Sequence, residues 1–370
     1  MSVAEGGGPA VTFGLFDWID TDGVRDAGQL YRERLDLLTD AESHGFDIYH
    51  LAEHHGTPLG LAPSPSVFLA AAAVRTTRIR LCPLVYVLPL YHPTRLAEEI
   101  AMLDQLSGGR LEIGFGKGGN PYELHCYGIE SGDAQRRYNE VFDSVMQTLE
   151  SGTIDTAGTE ADRVEMPMRT RQAPRPPVWY PSSNPESVPL LGKRGINTIL
   201  GFSFRSPTIE VTRLRRDEYF AGVADAPPGT LMGGAGAPTP RFGIMRNIYV
   251  GESDGAARER VIEAMDVFYA QFTALWRRHG DDRYLQPQDF GRAIDEGRVI
   301  AGSAATVRAQ LAEMLQASGC NHFAGAFAFG SLSHAEARSS LERFGTQVAG
   351  TLRSLDPRRP DGNPAGSRAP

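Results

Sequence analysis

The sequence predicts an α/β fold, namely a (β/α)8 TIM barrel with insertions at its C-terminal face. Short, apolar, β-rich runs alternate with amphipathic helical patterns, and this alternation is typical of βαβ units in a parallel sheet. Eight strand patterns occur within the 370 residues, and a barrel of this class commonly uses about 250 residues or more as one domain. Chemistry is therefore expected at the carboxyl ends of the strands, where barrel enzymes hold their active sites.

The first half of the chain contains four strand patterns, each followed by a helical one. The helices are indicated by apolar residues three and four positions apart, as at Leu37, Leu38 and Ala41, and by breakers such as Gly45 at their ends. The predicted strands are 11–16, 48–51, 79–88 and 111–115, and the helices that follow them are 28–44, 66–74, 93–106 and 136–149.

The second half repeats the pattern less regularly. Residues 151–177 are polar and proline-spaced, which indicates an excursion over the outer surface. Residues 280–299 form a second polar insertion, expected to be either a lid over the barrel mouth or a disordered loop. The remaining predicted strands are 178–180, 198–202, 242–250 and 323–329, with helices at 186–193, 210–220, 256–278 and 305–318.

These patterns predict one barrel domain over 11–355, with the lid-like insertion around 280–299. Residues 1–10 are small and are expected to be a flexible N-terminus, and residues 356–370, rich in Pro, Arg and Gly, a disordered tail.

Composition excludes several classes of function. The net charge of −8 argues against a nucleic-acid or anionic-membrane surface. Three scattered cysteines suit neither a disulfide framework nor a zinc site. No apolar run approaches the roughly 20 residues of a membrane span, and the first residues lack a signal-peptide pattern, so a cytoplasmic protein is expected.

Two adjacent histidines, His54 and His55, follow the second strand directly. A metal site is disfavoured because neighbouring positions of an extended chain point to opposite faces and no acidic residue stands at ligand spacing. Two interpretations stay open: a hydrogen-bonded packing pair, or one imidazole that faces the barrel mouth and transfers protons.

A glycine-rich turn, Gly114 to Gly119, follows the fourth strand and contains Lys117. It matches the dinucleotide pattern G-x-G-x-x-G, but Asn120-Pro121 follows where that motif needs the start of a helix. The glycines instead suggest close backbone approach to a flat or anionic ligand, with Lys117 as a positive charge at its edge.

Two further stretches could help to bind an anion. Arg136 lies where a helix begins, and it either pairs with Glu140 or reaches a phosphate near Lys117. The hydroxyl-rich turn 182–187 precedes another helix, where its side chains are either helix caps or part of an anion site.

Together these residues resemble the bacterial luciferase-like flavin monooxygenase family. The resemblance rests on AEHH at 52–55, VLPLYHPTRLAEEIAMLDQLSGGRLEIGFGKG at 87–118 and RRYNE at 136–140. It is close over residues 11–150 and weaker beyond them. It implies a (β/α)8 barrel that uses reduced FMN and oxygen or, in one branch of the family, a deazaflavin.

The resemblance also implies a set of site residues. His54 matches the histidine that assists proton transfer at the flavin and His55 its neighbour, so both are assigned as catalytic. Leu84-Val85 matches a non-prolyl cis peptide beneath the isoalloxazine, and Lys117 and Arg136 match phosphate-binding arginines. The cofactor-binding residues implied are Leu84, Val85, Gly116, Lys117, Gly118, Arg136, Ser183, Asn184 and Ser187.

Two departures from the family pattern bear on the reaction. Gly116 stands where luciferases carry a reactive cysteine, and Lys117 offers a single point charge instead of an arginine fork. Light emission from a long aldehyde is therefore not expected, whereas oxygenation of another organic substrate is.

The sequence thus predicts a two-component monooxygenase. Reduced FMN, supplied by a separate flavin reductase, would react with O2 to give a flavin peroxide that oxygenates a small organic substrate, and the resemblance implies a homodimer. Two alternatives stay open: a deazaflavin-dependent oxidoreductase that transfers hydride, and a flavin-binding subunit without catalysis.

Overall fold

The computed structural model describes residues 11–155, 163–201, 203–227 and 239–355. The predicted flexible N-terminus and disordered tail lie outside these residues. The strands are β1 Thr12–Asp17, β2 Ile48–Leu51, β3 Arg80–Pro83, β4 Tyr86–Val87, β5 Ile113–Gly116, β6 Thr153–Asp155, β7 Arg163–Glu165, β8 Val178–Trp179, β9 Thr198–Leu200, β10 Phe242–Gly251, β11 Ile300–Ser303 and β12 His322–Ala326.

The helices alternate with these strands for most of the chain. Short 3-10 turns lie at Leu88–Leu90 and Ser203–Arg205, and a π-helical turn lies at Gly345–Ala349. The α-helices are α1 Ala27–Ser43, α2 Pro65–Arg75, α3 Pro93–Leu106, α4 Pro121–His125, α5 Ala134–Ser151, α6 Val188–Arg194, α7 Ile209–Ala224, α8 Asp254–Phe272, α9 Ala274–Arg278, α10 Phe290–Asp295, α11 Ala304–Ser318, α12 His334–Phe344 and α13 Gly350–Leu352.

The parallel strands pair around a closed ring, which confirms the predicted barrel. β1 lies between β12 and β2, and β2 pairs with β3. A bridge from Leu81 to Leu111 joins β3 to the β5 segment, and β5 pairs with β8. A second bridge, from Trp179 to Asn197, leads to β9, and β10 closes the ring between β9 and β12.

Alternation along the strands divides the core into two layers. In β2, Tyr49 and Leu51 join the large cluster between the barrel and its helices. Ile48, on the opposite face, belongs to a second cluster with Phe16, Cys82 and other strand residues. Period-two alternation produces this division, because successive side chains of a strand point to opposite faces.

The barrel interior also holds a buried ion pair cluster near the beginnings of the strands, formed by Arg80, Glu112, Trp179 and Arg241. Glu112 binds Arg80, accepts 2.9 and 3.1 Å bonds from Arg241, and accepts a 2.5 Å bond from the Trp179 indole. Burial raises the pKa of Glu112, but the charges of Arg241 and Arg80 outweigh burial and lower this pKa to about 2. Glu112 therefore stays ionised.

A buried histidine pair, His50 and His322, lies beside this cluster. Their Nε2 atoms are 3.1 Å apart, and Nδ1 of His322 is 2.9 Å from the Thr12 hydroxyl. Burial lowers the pKa of His50 to about 3, and burial together with His50 lowers the pKa of His322 far below its ordinary value. Both imidazoles are therefore neutral near pH 7.

Several elements differ from the sequence prediction. The strand predicted at 79–88 is divided into β3 and β4 around a cis peptide between Leu84 and Val85. The helix predicted at 256–278 is divided into α8 and α9 at Thr273. The segment 151–177 contains the antiparallel pair β6–β7, and β11 adds to β10 outside the ring of eight.

Among the described residues, no helix is both long enough and apolar enough to cross a lipid bilayer.

Candidate active site

A cavity of about 530 Å³ lies at the carboxyl ends of the strands and forms the candidate active site. This volume falls in the range of small-molecule and cofactor sites. Loops after six strands of the ring contribute to its wall, through Trp18, His54, Val85, Lys117, Pro181 and Arg205. The position agrees with the expectation that chemistry follows the strands of a parallel barrel.

His54 lines this cavity, and its side chain is 22% exposed. Its Nδ1 lies 3.1 and 3.3 Å from the two carboxylate oxygens of Glu123 on α4. An ionised carboxylate only accepts hydrogen bonds, so Nδ1 carries the proton and Nε2 holds the lone pair. Among the described residues Nε2 has no hydrogen-bond partner, so it can exchange a proton with a molecule in the cavity.

Gly60 leaves room for His54, because it has no side chain where the two residues approach each other. A methyl group at this position would lie 3.1 Å from Cβ of His54 and 2.9 Å from the carbonyl oxygen of Trp18. A side chain there would push on both residues, which share the cavity wall. The absence of a side chain at residue 60 therefore helps to set where the imidazole sits.

His55 points away from the cavity and does not line it. It is 6% exposed, its Nε2 donates to Glu53 Oε1 at 2.8 Å, and its Nδ1 accepts from the Tyr127 hydroxyl at 2.8 Å. The second oxygen of Glu53 accepts from the Val87 amide at 3.1 Å and from the Tyr91 hydroxyl at 2.8 Å. His55 is thus part of a satisfied polar network behind the site, and its catalytic role stays a prediction.

The adjacent histidines point in different directions, as extended backbone requires. Within the described ranges, no group of three or more His, Cys, Asp or Glu side chains is placed to hold a metal ion.

The floor of the cavity is made of the cis peptide and two glycines. Leu84, Val85, Gly116 and Gly118 all line it, and the peptide between Leu84 and Val85 is cis, which is the conformation that the resemblance implied. A methyl group on Gly116 would overlap Cγ2 of Val85. Gly118 has φ +83°, and a methyl group there would lie 2.9 Å from Cγ1 of Val87.

Of the two predicted phosphate-binding cations, the structure brings one to the cavity. Lys117 is exposed, lines the cavity and has no acidic partner among the described residues. Arg136 is 60% exposed, pairs with Asp133 at 3.1 Å and Glu140 at 2.9 Å, and does not line the cavity. Its part in cofactor binding therefore stays a prediction.

The hydroxyl turn lies just beyond the cavity wall. Tyr180 and Pro181 line the cavity, whereas Ser183, Asn184 and Ser187 do not. The Asn184 side chain accepts from the Glu186 amide at 2.9 Å, and Ser187 precedes α6 without a side-chain capping bond. These three residues follow the cavity wall closely in sequence, and their contact with a phosphate stays a prediction.

The insertion predicted at 280–299 contributes to the wall through Tyr284. The Tyr284 ring centroid lies 4.6 Å from that of Trp276 and 6.1 Å from that of Phe272, both of which also line the cavity. The Tyr269 hydroxyl donates to the carbonyl oxygens of Tyr284 and Gln286 and fastens this part of the insertion to α8.

Helix α4 joins the insertion to His54. The Tyr122 hydroxyl donates to Asp281 at 2.8 Å, and the Tyr122 ring stacks on His279 with centroids 4.0 Å apart. The next residue, Glu123, binds His54 and also accepts from the His55 amide at 3.0 Å. Neither Tyr122 nor Glu123 was predicted, because these partners are 68 or more positions away in sequence and no local pattern shows such contacts.

A parallel eight-stranded barrel with a histidine fixed by a carboxylate at the mouth is the architecture of a (β/α)8 enzyme. Comparison with known families makes the assignment narrower. Residues 11–322 match the family model described as luciferase-like monooxygenase. The chain belongs to this family and is an oxidoreductase, as its resemblance to the family implied.

Two relatives show how far the similarity extends. The chain is 35% identical to the uncharacterized protein y4wF of Sinorhizobium fredii over 329 residues, 87% of this chain and 92% of the relative. It is 28% identical to the oxygenase component of flavin-dependent trigonelline monooxygenase from Acinetobacter baylyi over 261 residues, 67% of each chain.

Solved structures share the fold. Monooxygenase RslO1 from Streptomyces bottropensis gives a TM-score of 0.80 at 25% identity, covering 92% of this chain and 99% of RslO1. The oxygenating constituent of 3,6-diketocamphane monooxygenase from Pseudomonas putida, solved with FMN, gives 0.74 at 20% identity, covering 92% and 98%. The coenzyme F420 dependent tetrahydromethanopterin reductase from Methanopyrus kandleri gives 0.63 at 21%, covering 92% and 99%.

Proposed function

We propose that this protein is a monooxygenase that uses reduced FMN and O2 to add one oxygen atom to a small organic substrate. The observation that carries the proposal is the combination of features around one cavity. The cis Leu84–Val85 peptide, the glycine floor, the carboxylate-bound His54 and Lys117, which has no acidic partner in the described part of the chain, all face the same space.

The residues present fit FMN. A flat ring system needs backbone it can approach closely, and Gly116 and Gly118 provide it beside the Leu84–Val85 peptide. A phosphate needs a cation, and Lys117 is a lining cation without an acidic partner among the described residues. We assign the isoalloxazine to this floor and the phosphate to Lys117, with the hydroxyl turn after Pro181 as its second contact.

When bound, reduced FMN supplies the electrons that activate O2 for transfer of one oxygen atom to the substrate. The protein supplies orientation and proton control. His54 can accept a proton at Nε2 while Glu123 holds Nδ1–H, and the same carboxylate stabilises the imidazolium that results. The protonated ring can then return the proton to a group in the cavity.

Two other parts of the site have supporting roles. The network of His55, Glu53 and Tyr91 fixes the backbone on either side of the cavity, because Glu53 also binds the Val87 amide. The part of the insertion around Tyr284 covers the cavity with aromatic surface and acts as the predicted lid, which limits access of water.

The reduced cofactor is proposed to come from a separate reductase. The glycine turn leads into the five-residue helix α4 instead of the long helix of a dinucleotide site. The similar trigonelline enzyme is an oxygenase component by name, which supports the same division of labour here.

The first experiment is an anaerobic calorimetric titration of the protein with dithionite-reduced FMN and, separately, with a reduced deazaflavin. We expect reduced FMN to bind more tightly, and Lys117→Met to weaken this binding by about tenfold, because a charge-assisted contact to a phosphate is lost. Arg95→Met is the control, since Arg95 is exposed and pairs with Glu99 on α3.

The outcomes separate the alternatives. Preferential binding of the deazaflavin would replace this proposal with hydride transfer on the same barrel. If neither cofactor binds, both the FMN assignment and the deazaflavin assignment lose their support. If reduced FMN binds but causes no substrate-dependent oxygen consumption with a panel of ketones and aromatic compounds, the flavin-binding subunit without catalysis is favoured.

A further inference from the structure

Arg205 is a second cation of the cavity. It lies against aromatic residues, in contrast to the glycine floor. It follows β9 and lines the cavity, and its guanidinium carbon lies 4.2 Å from the ring centroid of Tyr284. Among the described residues it has no acidic partner. Stacking on an aromatic face orients a guanidinium while its edge N–H groups stay available for a planar acceptor.

Arg283 is a contrasting arginine in the same neighbourhood. Its guanidinium carbon lies 4.9 Å from the ring centroid of Trp276, so it is also stacked on an aromatic cavity residue. Its charge, however, is taken up by Asp281, which accepts from its Nε at 3.0 Å and from its Nη2 at 2.5 Å. Of these two stacked arginines, Arg205 is the one without an acidic partner among the described residues, so its charge is available to a ligand.

The wall around Arg205 is aromatic. Trp276 and Tyr284 lie with ring centroids 4.6 Å apart, and Trp18 and Phe268 with ring centroids 4.9 Å apart. All four line the cavity, as does Phe272. Such a wall favours a flat, apolar molecule, because aromatic rings bind other rings by stacking and edge contacts.

The other charged groups that line the cavity already have a partner in the protein or a proposed ligand. The oxygens of Glu53 and Glu123 already accept hydrogen bonds from the protein. Lys117 is assigned to the cofactor phosphate. Arg205 therefore remains for a second anion, located at the aromatic side of the site.

From this arrangement we infer that the substrate is a flat, apolar molecule that bears one carboxylate, and that Arg205 binds this carboxylate. The inference rests on the proposed function for its reaction but not for its binding test. It identifies Arg205 as a residue that determines specificity and Tyr284 as the surface that orients it.

The test measures binding without turnover. Three flat acids, namely benzoate, 1-naphthoate and indole-3-acetate, are each compared with the corresponding amide by calorimetry on the full-length protein. We expect at least one acid to bind about tenfold more tightly than its amide, as a charge-assisted bond requires. Arg205→Met should abolish this preference, and Arg205→Lys should restore part of it. Arg283→Met should leave it unchanged.

FMN titrations of the same variants distinguish the source of the anion. We expect Arg205→Met to change FMN affinity by less than about threefold, a difference below 1 kcal/mol. Loss of FMN or deazaflavin binding in Arg205→Met would assign the arginine to the cofactor and overturn the inference. Equal binding of acid and amide, or binding of neither, would overturn it too. Selective acid binding by a protein that fails to bind FMN would leave the anion site intact and refute only the cofactor assignment.

Discussion

The barrel contains two sites that combine histidine with nearby carboxylate, and they behave differently. Inside the barrel, His50 and His322 are fully buried, contact each other, and have lowered pKa values. At the mouth, His54 is partly exposed, borders a cavity and is bound through one nitrogen to Glu123. Because Nδ1 of His50 also lacks a hydrogen-bond partner among the described residues, access to a cavity is what separates His54 from the two structural histidines.

Removal of the imidazole at the mouth should have the largest effect on the reaction. With a substrate in hand, His54→Ala should lower the rate of substrate-dependent oxygen consumption by about 10²–10⁴-fold, because proton transfer by a positioned side chain contributes that much. The urea midpoint should change little, since His54 borders a cavity.

Glu123→Gln provides the control for orientation. The amide can still contact Nδ1 but cannot stabilise an imidazolium, so the rate should fall less than in His54→Ala and the pH profile should move. A large loss of stability in His54→Ala, with an unchanged rate per folded molecule, would contradict the distinction between the two sites.

A substitution in the barrel interior should lower stability but leave the reaction rate unchanged. Glu112→Gln should lower the free energy of unfolding by about 3–5 kcal/mol, because Arg80 and Arg241 lose the buried carboxylate that neutralises them. Urea denaturation measures this loss, and the rate per folded molecule should stay near that of the wild type.

An exposed ion pair supplies the matched control for Glu112. Glu140→Gln removes a partner of the exposed Arg136 and should cost less than about 1 kcal/mol. Similar losses in the two variants would show that burial is not what makes the interior cluster important.

As the pH falls, the buried pair His50 and His322 should lose stabilising effect before the Glu112 cluster does. The folded pKa of His50 is about 3 against an ordinary value of 6.5, so the unfolded chain binds the proton more readily between these values. Stability is therefore complete above pH 6.5 and is lost as the pH falls toward 3, with roughly 3 kcal/mol lost by pH 4.

Glu112 responds at lower pH. Its folded pKa of about 2 lies below the ordinary 4.5, so its contribution to stability is present above pH 4.5 and is lost as the pH falls through 2.

The contribution of His50 can be measured separately. Free energies of unfolding measured from pH 8 to pH 4 should decline for the wild type and decline less for His50→Gln. Parallel curves would refute the assignment to the histidine.

Apart from the exposed-pair control, the smallest effect is expected at the cavity floor. Gly116→Ala should lower stability by about 1–3 kcal/mol, because its methyl group overlaps Cγ2 of Val85. Adding Val85→Ala should recover part of this loss, and a double-mutant cycle on urea unfolding measures the coupling. Additive effects would show that the two residues do not share the floor as the structure places them.

The fold could be predicted largely from the sequence, because strand and helix periodicities are local. Strand β2 and helix α3 have the predicted bounds, 48–51 and 93–106. The division of the strand at 79–88 and the break of the long helix at Thr273 were missed, since both depend on tertiary contacts.

The site was predicted less completely. His54, Lys117 and the cis peptide followed from motifs that are continuous in sequence. Glu123 did not, because its importance arises only when distant segments meet at the cavity. A bare sequence also cannot show that His55 faces away from the mouth while its neighbour faces into it.

Helix α4 is only five residues long, yet adjacent side chains on it connect two different parts of the enzyme. Tyr122 connects it to the insertion through Asp281, and Glu123 connects it to His54. The two contacts share one turn of backbone, so helix α4 directly connects the position of the insertion with the position of the carboxylate that holds His54. A sequence change in the insertion can thus alter the acid–base behaviour of a histidine that it never touches.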